Sequence, residues 1–232
     1  MLEYFACTAK GTGKHRNESR IMINNTVISQ GCSSGTEDEA LIAVICDAEG
    51  GEKGGDTAAE LTANGFVNFS IHSASALSVM RRLHAVNREI LMVQRHCPNN
   101  GNMKTSSAGV IIYRNRYMVF NVGDTRCYRY SENSVSVLTK IQTVGTYTSC
   151  LGGNNSECFP YVRRGTERSE NSVFLLHSGG TYKPIVNEDI SEIFSSVSSV
   201  EDIARAIQRL ATQNGSADDI SVVAIRLRNI PK

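Results

Sequence analysis

The stretch SSAGVIIYRNRYMVFNVGDTRCYRYS, residues 106–131, alternates apolar and polar side chains and is interrupted by two short turns. The first turn lies at Asn115, and the second is the sequence GDTR, which contains Asp124. Alternation with a period of two indicates half-buried strands, and short polar turns between such strands indicate hairpins. The stretch therefore predicts an antiparallel meander, with the carboxylate of Asp124 in the turn of one hairpin.

The flanking sequence predicts further strands and three helices around this meander. Strands are predicted over residues 2–9, 20–28, 41–47, 134–138, 172–178 and 219–227. Helices are predicted from an N-cap at Asp56 or Thr57 to near Gly65, from Ser75 to His96, and from Ser199 to near Gly215. In the second helix, the stripe from Leu77 and Met80 to Leu91 is predicted to face the core. The order of elements indicates an α+β architecture in which antiparallel sheets are covered by helices.

Length and charge limit the possible classes of function. The 232 residues fit one domain, 1–232, and 24 basic against 23 acidic side chains leave a formal charge of +1. A balanced charge does not create the broad positive field that nucleic acid binding requires, so we expect no nucleic acid partner. No apolar run approaches the roughly 20 residues of a membrane span, and the N-terminus lacks the pattern of a signal peptide. We therefore expect a soluble protein that does not bind membranes.

The seven cysteines are widely scattered and include no C-x-x-C pair. This distribution argues against a zinc knuckle and against a disulfide scaffold, and it favours a cytoplasmic location. Cys46 lies within an apolar strand and is interpreted as a small core residue.

Four acidic residues lie beside strand ends or in the meander's turn: Glu18, Asp47, Asp124 and Asp218. Asp47 ends the apolar sequence LIAVICD, where a charge is costly unless a metal, a basic partner or a helix N-terminus neutralises it. Carboxylates brought together at one sheet edge would suit Mg²⁺ or Mn²⁺. A single aspartate in such a place is also a common turn or capping residue. The spacing alone leaves both interpretations open.

Four motifs in order extend the argument: AVICDAEGGEKGGDTAAE (43–60), the meander, LLHSGG (175–180) and GSADDISVVAI (215–225). Together they resemble the successive motifs of the metal-dependent serine/threonine protein phosphatases of type 2C. The resemblance spans nearly the whole chain and suggests a divergent, bacterial member. It implies a four-layer α-β-β-α sandwich, in which two antiparallel sheets are covered by helices, with a two-metal centre at one end. In that chemistry two divalent ions lower the pKa of a bridging water that attacks a phosphoserine or phosphothreonine.

The resemblance also implies a set of Mg²⁺ or Mn²⁺ ligands. Asp47 matches the aspartate that bridges both metals, and the backbone carbonyl of Ala48 matches a further ligand. Asp218 matches the late metal-binding aspartate, and Asp124 matches the ligand of a weaker third metal. Glu18 matches the acidic residue that holds metal-bound water.

Two further residues acquire roles through the same resemblance. Lys14 lies where the family usually has the arginine that binds the substrate phosphate, although lysine lacks the bidentate fork of arginine. Glu49 occupies the position of the family's histidine or methionine, where histidine is the proposed general acid. The implied catalytic residues are therefore Asp47, Glu18 and Glu49.

The chain departs from the family pattern at several positions. Gly179 stands where the family has a principal metal-binding aspartate, Ser19 replaces the aspartate that follows Glu18, and Asp219 replaces an asparagine. His177, beside Gly179, and Asp219 are the candidate substitute ligands. The segment 140–149 is much shorter than the flap that usually borders the substrate cleft.

Loss of metal ligands, or even of their supporting partners, commonly lowers affinity or activity by orders of magnitude. We therefore expect a weakly active or inactive phosphatase domain that binds a partner or phosphoprotein, and that is a monomer. The alternative is an active Mg²⁺- or Mn²⁺-dependent phosphatase with substitute ligands.

Overall fold

The computed structural model describes residues 1–48, 53–97, 101–144, 147–153, 158–179 and 185–228. The strands of this part of the chain are β1 (Leu2–Ala9), β2 (Arg20–Ile23), β3 (Thr26–Ile28), β4 (Gly31–Glu37), β5 (Ala40–Ala48), β6 (Lys104–Tyr113), β7 (Arg116–Val122), β8 (Arg126–Ser131), β9 (Ser134–Val137), β10 (Thr143–Val144), β11 (Tyr147–Thr148), β12 (Leu151–Gly152), β13 (Tyr161–Thr166), β14 (Val173–His177) and β15 (Ile220–Leu227). The helices are α1 (Gly55–Gly65), α2 (Ala76–His96), α3 (Asn187–Ser196) and α4 (Val200–Gln213).

Two antiparallel sheets form the centre of the fold. The first has the strand order β4-β1-β15-β14-β8-β9, and the second has the order β13-β7-β6-β5-β2-β3 with β12 paired to β6. Strands β10 and β11 form a separate two-stranded ribbon. The predicted strands are present as β6, β7, β8 and β9, which form two hairpins, but the predicted continuous meander is wrong because β7 and β8 lie in different sheets. Asp124 therefore lies in the connection between the two sheets and not in a hairpin turn.

Three apolar layers hold the elements together. A central layer joins the facing sides of the two sheets, for example Ala43 and Ile45 of β5 with Val223 and Ile225 of β15. A second layer packs α1 and α2 on the second sheet, and a third packs α3 and α4 on the first sheet. The predicted α+β fold class and the four-layer α-β-β-α sandwich are confirmed.

Strand β5 shows how the sequence alternation positions Asp47. Leu41, Ala43 and Ile45 belong to the layer between the sheets, whereas Ile42, Val44 and Cys46 belong to the layer under α1 and α2. Successive side chains of a strand point to opposite faces. Asp47 therefore continues the inward-facing series at the point where β5 reaches the end of the sandwich.

The start of α1 differs from the prediction. The helix begins at Gly55, after Gly54 in the left-handed conformation with φ of +83°. Neither Asp56 nor Thr57 is the N-cap. Asp56 lies in the first turn of the helix, where a negative charge is favourable, and it pairs with Arg16 at 2.9 Å.

Helix α2 begins as predicted, with a capping box between Ser75 and Ser78. The expected orientation of its stripe is partly wrong, because Leu77 and Met80 are exposed. The buried face instead contains Val79, Leu83, Val86, Asn87 and Ile90. Asn87 is polar but has a hydrogen-bond partner on this buried face, because its Oδ1 accepts the backbone N–H of Gly152 at 2.7 Å.

Strands β4 and β1, which are neighbours at one edge of the first sheet, are linked covalently. Cys7 of β1 lies directly opposite Cys32 of β4, and the two form a disulfide. The cysteine distribution argues against a disulfide scaffold, and this pair departs from that expectation because β1 and β4 bring together two cysteines that are 25 residues apart in sequence. Cys46, Cys127 and Cys158 are buried free thiols, which agrees with the prediction for Cys46.

Among the helices of the described residues, none combines the length and the apolar character needed to cross a bilayer.

Candidate functional site

The end of the sandwich beyond the central apolar layer contains a cluster of polar side chains. Hydroxyl groups pair across the strands there: Thr8 with Ser221 at 2.7 Å, and Ser106 with Thr125 at 2.6 Å. All four side chains are buried. Because they share the strand alternation of the inward-facing core residues, the apolar interior ends in a hydrogen-bonded layer, and Asp47 lies in this layer.

The carboxylate of Asp47 accepts one hydrogen bond on each oxygen. Ser19 Oγ donates to Oδ1 at 2.8 Å, and the backbone N–H of Gly179 donates to Oδ2 at 2.7 Å. Ser19 and Gly179 are the two positions at which the sequence resemblance led us to expect aspartates. At position 19 a hydroxyl donor therefore faces Asp47 in place of a carboxylate, and at position 179 there is no side chain to act as a ligand.

Electrostatics around Asp47 disfavour its charged form. Burial raises the pKa of this carboxyl to about 7, against the hydrogen bonds from Ser19 and Gly179, which lower it. The nearby charges of Asp124 and Asp219 raise the pKa further. Asp124 and Asp219 therefore lie close enough to Asp47 to form one acidic environment.

Asp219 has a structural role at this end of the sandwich. It is only 3% exposed, and its Oδ1 and Oδ2 accept the backbone N–H groups of Gly11 and Glu18 at 2.9 and 2.8 Å. These hydrogen bonds hold the loop formed by residues 10–19 against the start of β15. The residue at position 11 must be glycine for the same approach, because a Cβ atom there would collide with the backbone of Ala217 and Asp218.

Lys14 and Glu18 form an ion pair within this loop. Lys14 Nζ lies 3.0 Å from Glu18 Oε2, and both side chains are largely buried. Partial burial acts to lower the pKa of Lys14. The hydrogen bond and charge of Glu18, with the charges of Asp219 and Asp218, outweigh this effect and raise the pKa. Lys14 is therefore a persistent cation at the rim of the site.

The structure gives positions for the other predicted metal ligands. Asp124 is partly buried in the turn after Gly123, whose φ is +97°. Asp218 is exposed and lies within electrostatic reach of Lys14. Ala48 ends β5 opposite Thr105, whose hydroxyl donates to the backbone carbonyl of Asp47 at 2.9 Å. Over the described ranges, no three His, Cys, Asp or Glu side chains are grouped so that they could hold a metal ion.

The remaining sequence candidates are placed differently. Glu49 lies outside the described residues. His177 is fully buried, its ring stacks on Tyr128 with centroids 5.2 Å apart, and its Nδ1 lies 3.2 Å from the carbonyl oxygen of Ser178. Burial lowers the pKa of His177 to about 4, so the imidazole is neutral at physiological pH. His177 thus belongs to the side of β14 that faces the helices, whereas Asp47 faces the interior between the sheets.

Comparison with solved structures shows which proteins share this fold. The serine/threonine phosphatase PstP/Ppp of Mycobacterium tuberculosis superposes with a TM-score of 0.80 at 21% identity, covering 98% of this chain and 99% of that one. The fold is that of the type 2C serine/threonine phosphatases. Stp1 of Staphylococcus aureus gives a TM-score of 0.81 at 17% identity, over 99% and 96% of the two chains. A bacterial serine phosphatase gives 0.81 at 16% identity over the full length of both.

No family model and no curated protein sequence matches the chain. The likeness to the serine/threonine phosphatases is thus carried by the three-dimensional fold. The predicted resemblance to type 2C phosphatases is confirmed at that level.

Proposed function

We propose that this protein uses the type 2C phosphatase fold to bind a phosphoprotein or a regulatory protein partner, with weak or no hydrolysis. The observation that carries the proposal is that the two positions in contact with Asp47 supply no carboxylate: Ser19 donates its hydroxyl to Oδ1, and Gly179 contributes only its backbone N–H to Oδ2. A two-metal centre needs several carboxylates around its bridging aspartate, and neither Ser19 nor Gly179 supplies one.

The neighbouring acidic groups do not restore the missing ligands. Both oxygens of Asp219 are used by backbone N–H groups, and Glu18 is paired with Lys14. Mg²⁺ demands near-octahedral oxygen coordination, and two ions share several carboxylates. The carboxylates of the described residues therefore do not fit a two-metal centre.

Lys14 supplies the group that would recognise phosphate. Its pKa is raised, so it remains protonated at physiological pH, and a phosphate could replace Glu18 as its counter-ion. Recognition of this kind needs no metal and no nucleophile. It favours a phosphoserine- or phosphothreonine-containing protein as the partner.

One observation favours the second candidate, an active Mg²⁺- or Mn²⁺-dependent phosphatase with substitute ligands. The charges of Asp124 and Asp219 raise the pKa of Asp47, as in an acidic cluster that lacks a neutralising cation. A single divalent ion bound beside Asp47 and Asp124 would relieve this repulsion.

Calorimetric titration of Mn²⁺ and Mg²⁺, with hydrolysis of a phosphothreonine peptide as a second readout, separates the two candidates. We expect no tight two-site binding and no metal-dependent turnover in the native chain. The double variant Ser19→Asp and Gly179→Asp should raise Mn²⁺ affinity by about 10-fold or more, because it adds two carboxylates beside Asp47 and removes the Ser19 hydroxyl donor. Metal-dependent turnover that disappears in Asp47→Asn but survives in the exposed control Asp38→Asn would overturn the proposal.

Binding of the intact phosphopeptide tests the positive half of the proposal. The native chain should bind the phosphothreonine peptide and not its unphosphorylated form. Lys14→Ala should weaken this binding about 10-fold, as expected for a charge-assisted contact, whereas the exposed control Lys53→Ala should not. Equal affinity for both peptides would rule out phosphate recognition.

A further inference from the structure

The outward face of α2 presents a stripe that no contact within the described fold explains. We define the α2 stripe as Leu77, Arg81, His84, Arg88, Met92 and Arg95. With 3.6 residues per turn, these six positions lie within one narrow arc, opposite the buried Val79, Leu83, Val86 and Ile90. Leu77 and Met92 are 55% and 56% exposed.

The stripe concentrates positive charge. Helix α2 contains Arg81, Arg82, Arg88 and Arg95 but only one acidic residue, Glu89, which gives a net +3 with histidine neutral. The whole chain carries +1, so the rest of the chain carries −2. Helix α2 is therefore strongly positive, whereas the rest of the chain carries a small negative charge.

The arginines of the stripe have no partners within the described part of the protein. Arginines elsewhere form ion pairs, such as Arg20 with Glu60 and Arg205 with Glu201. Arg81, Arg88 and Arg95 make no salt bridge or hydrogen bond with any described residue. Their guanidinium groups, each with five donors, face solvent.

The spacing of these arginines specifies a partner. Arg81, Arg88 and Arg95 are seven residues apart, so successive guanidinium groups repeat about every 10.5 Å along the helix. We propose that α2 docks an acidic helical segment of a partner protein whose carboxylates also recur every seven residues. Leu77 and Met92 would contact apolar side chains of that segment, in keeping with the enrichment of arginine and methionine at protein interfaces.

The same features argue against other occupants. A membrane-surface helix buries a continuous apolar face in lipid, but the apolar face of α2 is packed on the second sheet. Leu77 and Met92 are separated by fifteen residues, about 22 Å, with arginines between them. A second copy of the stripe would bring like charges together. Three arginines also fall short of the six to ten phosphate contacts typical of DNA-binding proteins.

The stripe is separate from the site around Asp47, which is formed by strand ends and the loop over residues 10–19. Its helix contacts α1, β12 and β13. The inference therefore goes beyond the proposed function, and the experiment below measures neither metal binding nor phosphate recognition.

A synthetic helical peptide of three heptads, with glutamate at every seventh position beside a leucine, is the probe. A control peptide of the same composition has its glutamates moved to the opposite face. Fluorescence anisotropy should show binding of the first peptide, at least about 10-fold weaker binding of the second, and weakening as salt is raised from 50 to 500 mM.

The matched variants localise the binding to α2. Arg81→Glu, Arg88→Glu and Arg95→Glu combined should weaken binding at least about 10-fold, from the loss of three exposed ion pairs and the new repulsion. The combination Arg116→Glu, Arg164→Glu and Arg209→Glu changes the net charge equally at exposed sites outside α2 and should leave binding within about 2-fold. Equal weakening in both variants, no binding, or equal affinity for both peptides would overturn the proposal. So would tighter stripe-dependent binding to phosphatidylserine vesicles or duplex DNA.

Discussion

Asp47 and Asp219 are two carboxylates at the same end of the sandwich that are held in different ways. Asp219 is 3% exposed and accepts two backbone N–H groups, from Gly11 and Glu18. Asp47 is partly exposed and accepts one backbone N–H group and one serine hydroxyl. The first bonds fasten a loop to a strand, whereas the second set includes a donor that a single substitution can remove.

This difference in hydrogen bonding gives Asp219 and Asp47 different roles, although the two lie in the same acidic environment. A carboxylate that satisfies backbone donors is required for the loop's conformation, because those N–H groups have no alternative acceptor when buried. Asp47 satisfies only one backbone donor, that of Gly179, and its other hydrogen bond comes from a side chain. Asp219 is accordingly a scaffold residue, whereas Asp47 is a carboxylate whose hydrogen bonding a single side-chain substitution can change.

The largest expected effect comes from removing the scaffold carboxylate. Asp219→Ala leaves the N–H groups of Gly11 and Glu18 without acceptors, and we expect it to lower the free energy of unfolding by about 3 kcal/mol. Urea denaturation measures this change. The neighbouring Asp218→Ala is the matched control, because Asp218 is exposed, and it should change stability by no more than about 0.5 kcal/mol. Equal effects of the two substitutions would contradict the assigned role of Asp219.

His177 extends the comparison to a buried base. Its pKa is lowered to about 4 by burial, from an ordinary value near 6.5, so folding favours the neutral imidazole. The associated stability is complete above the unfolded-state pKa and is lost as the pH falls from about 6.5 towards 4. Between pH 7 and pH 5 we expect a loss of about 2 kcal/mol attributable to this residue.

The variant His177→Phe keeps a ring against Tyr128 and cannot be protonated. In urea unfolding at several pH values, the difference in unfolding free energy between His177→Phe and the native chain should shift by about 2 kcal/mol in favour of the variant between pH 7 and pH 5, whatever Asp47 contributes to both. The same substitution at exposed His15 provides the control for loss of a histidine. An unchanged pH profile in His177→Phe would show that another group dominates the acid sensitivity.

Sequence patterns predict the interior of this fold well because alternation and burial act together there. The apolar run of β5 and the strands β6 to β9 were identifiable, although the sequence did not show that β7 and β8 belong to different sheets. The alternation in β5 places Asp47 on the inward face. The strands at the edges of the two sheets were not predictable in this way. Strands β4 and β13, with sequences GCSSGTE and YVRRGT, lie at sheet edges where solvent tolerates polar and charged side chains, so no apolar run marks them.

The helices show a related limit. Helix α2 contains enough apolar residues to form two adjacent apolar stripes, one through Leu77 and Met80 and one through Val79 and Val86. Helical spacing alone does not show which of the two stripes is buried. The short helix α3 was not predicted at all, since NEDISEIFSS contains few apolar residues. Packing against the sheet and the neighbouring helix determines which face of α2 is buried and stabilises α3 as a helix.

The candidate site was predicted in its acidic members but not in its donors. Gly179 and Asp47 are 132 residues apart, and a backbone N–H has no signature in the sequence. The departures at Ser19 and Gly179 were visible as missing aspartates, but their shared contact with Asp47 depends on the tertiary approach of β2, β5 and β14. The roles of the predicted metal ligands remain predictions.

The smallest expected effect concerns the replaceable donor of Asp47. Ser19→Ala removes the hydroxyl that donates to Oδ1 at 2.8 Å and keeps the bond from Gly179, so we expect a loss of about 1 kcal/mol in urea denaturation. The exposed Ser29→Ala controls for the loss of a serine hydroxyl. A loss as large as that of Asp219→Ala would mean that Asp47 is as much a scaffold residue as Asp219, and the comparison would fail. A small loss would confirm that the side-chain donor is dispensable for folding, because the carboxylate of Asp47 keeps a backbone partner and access to water.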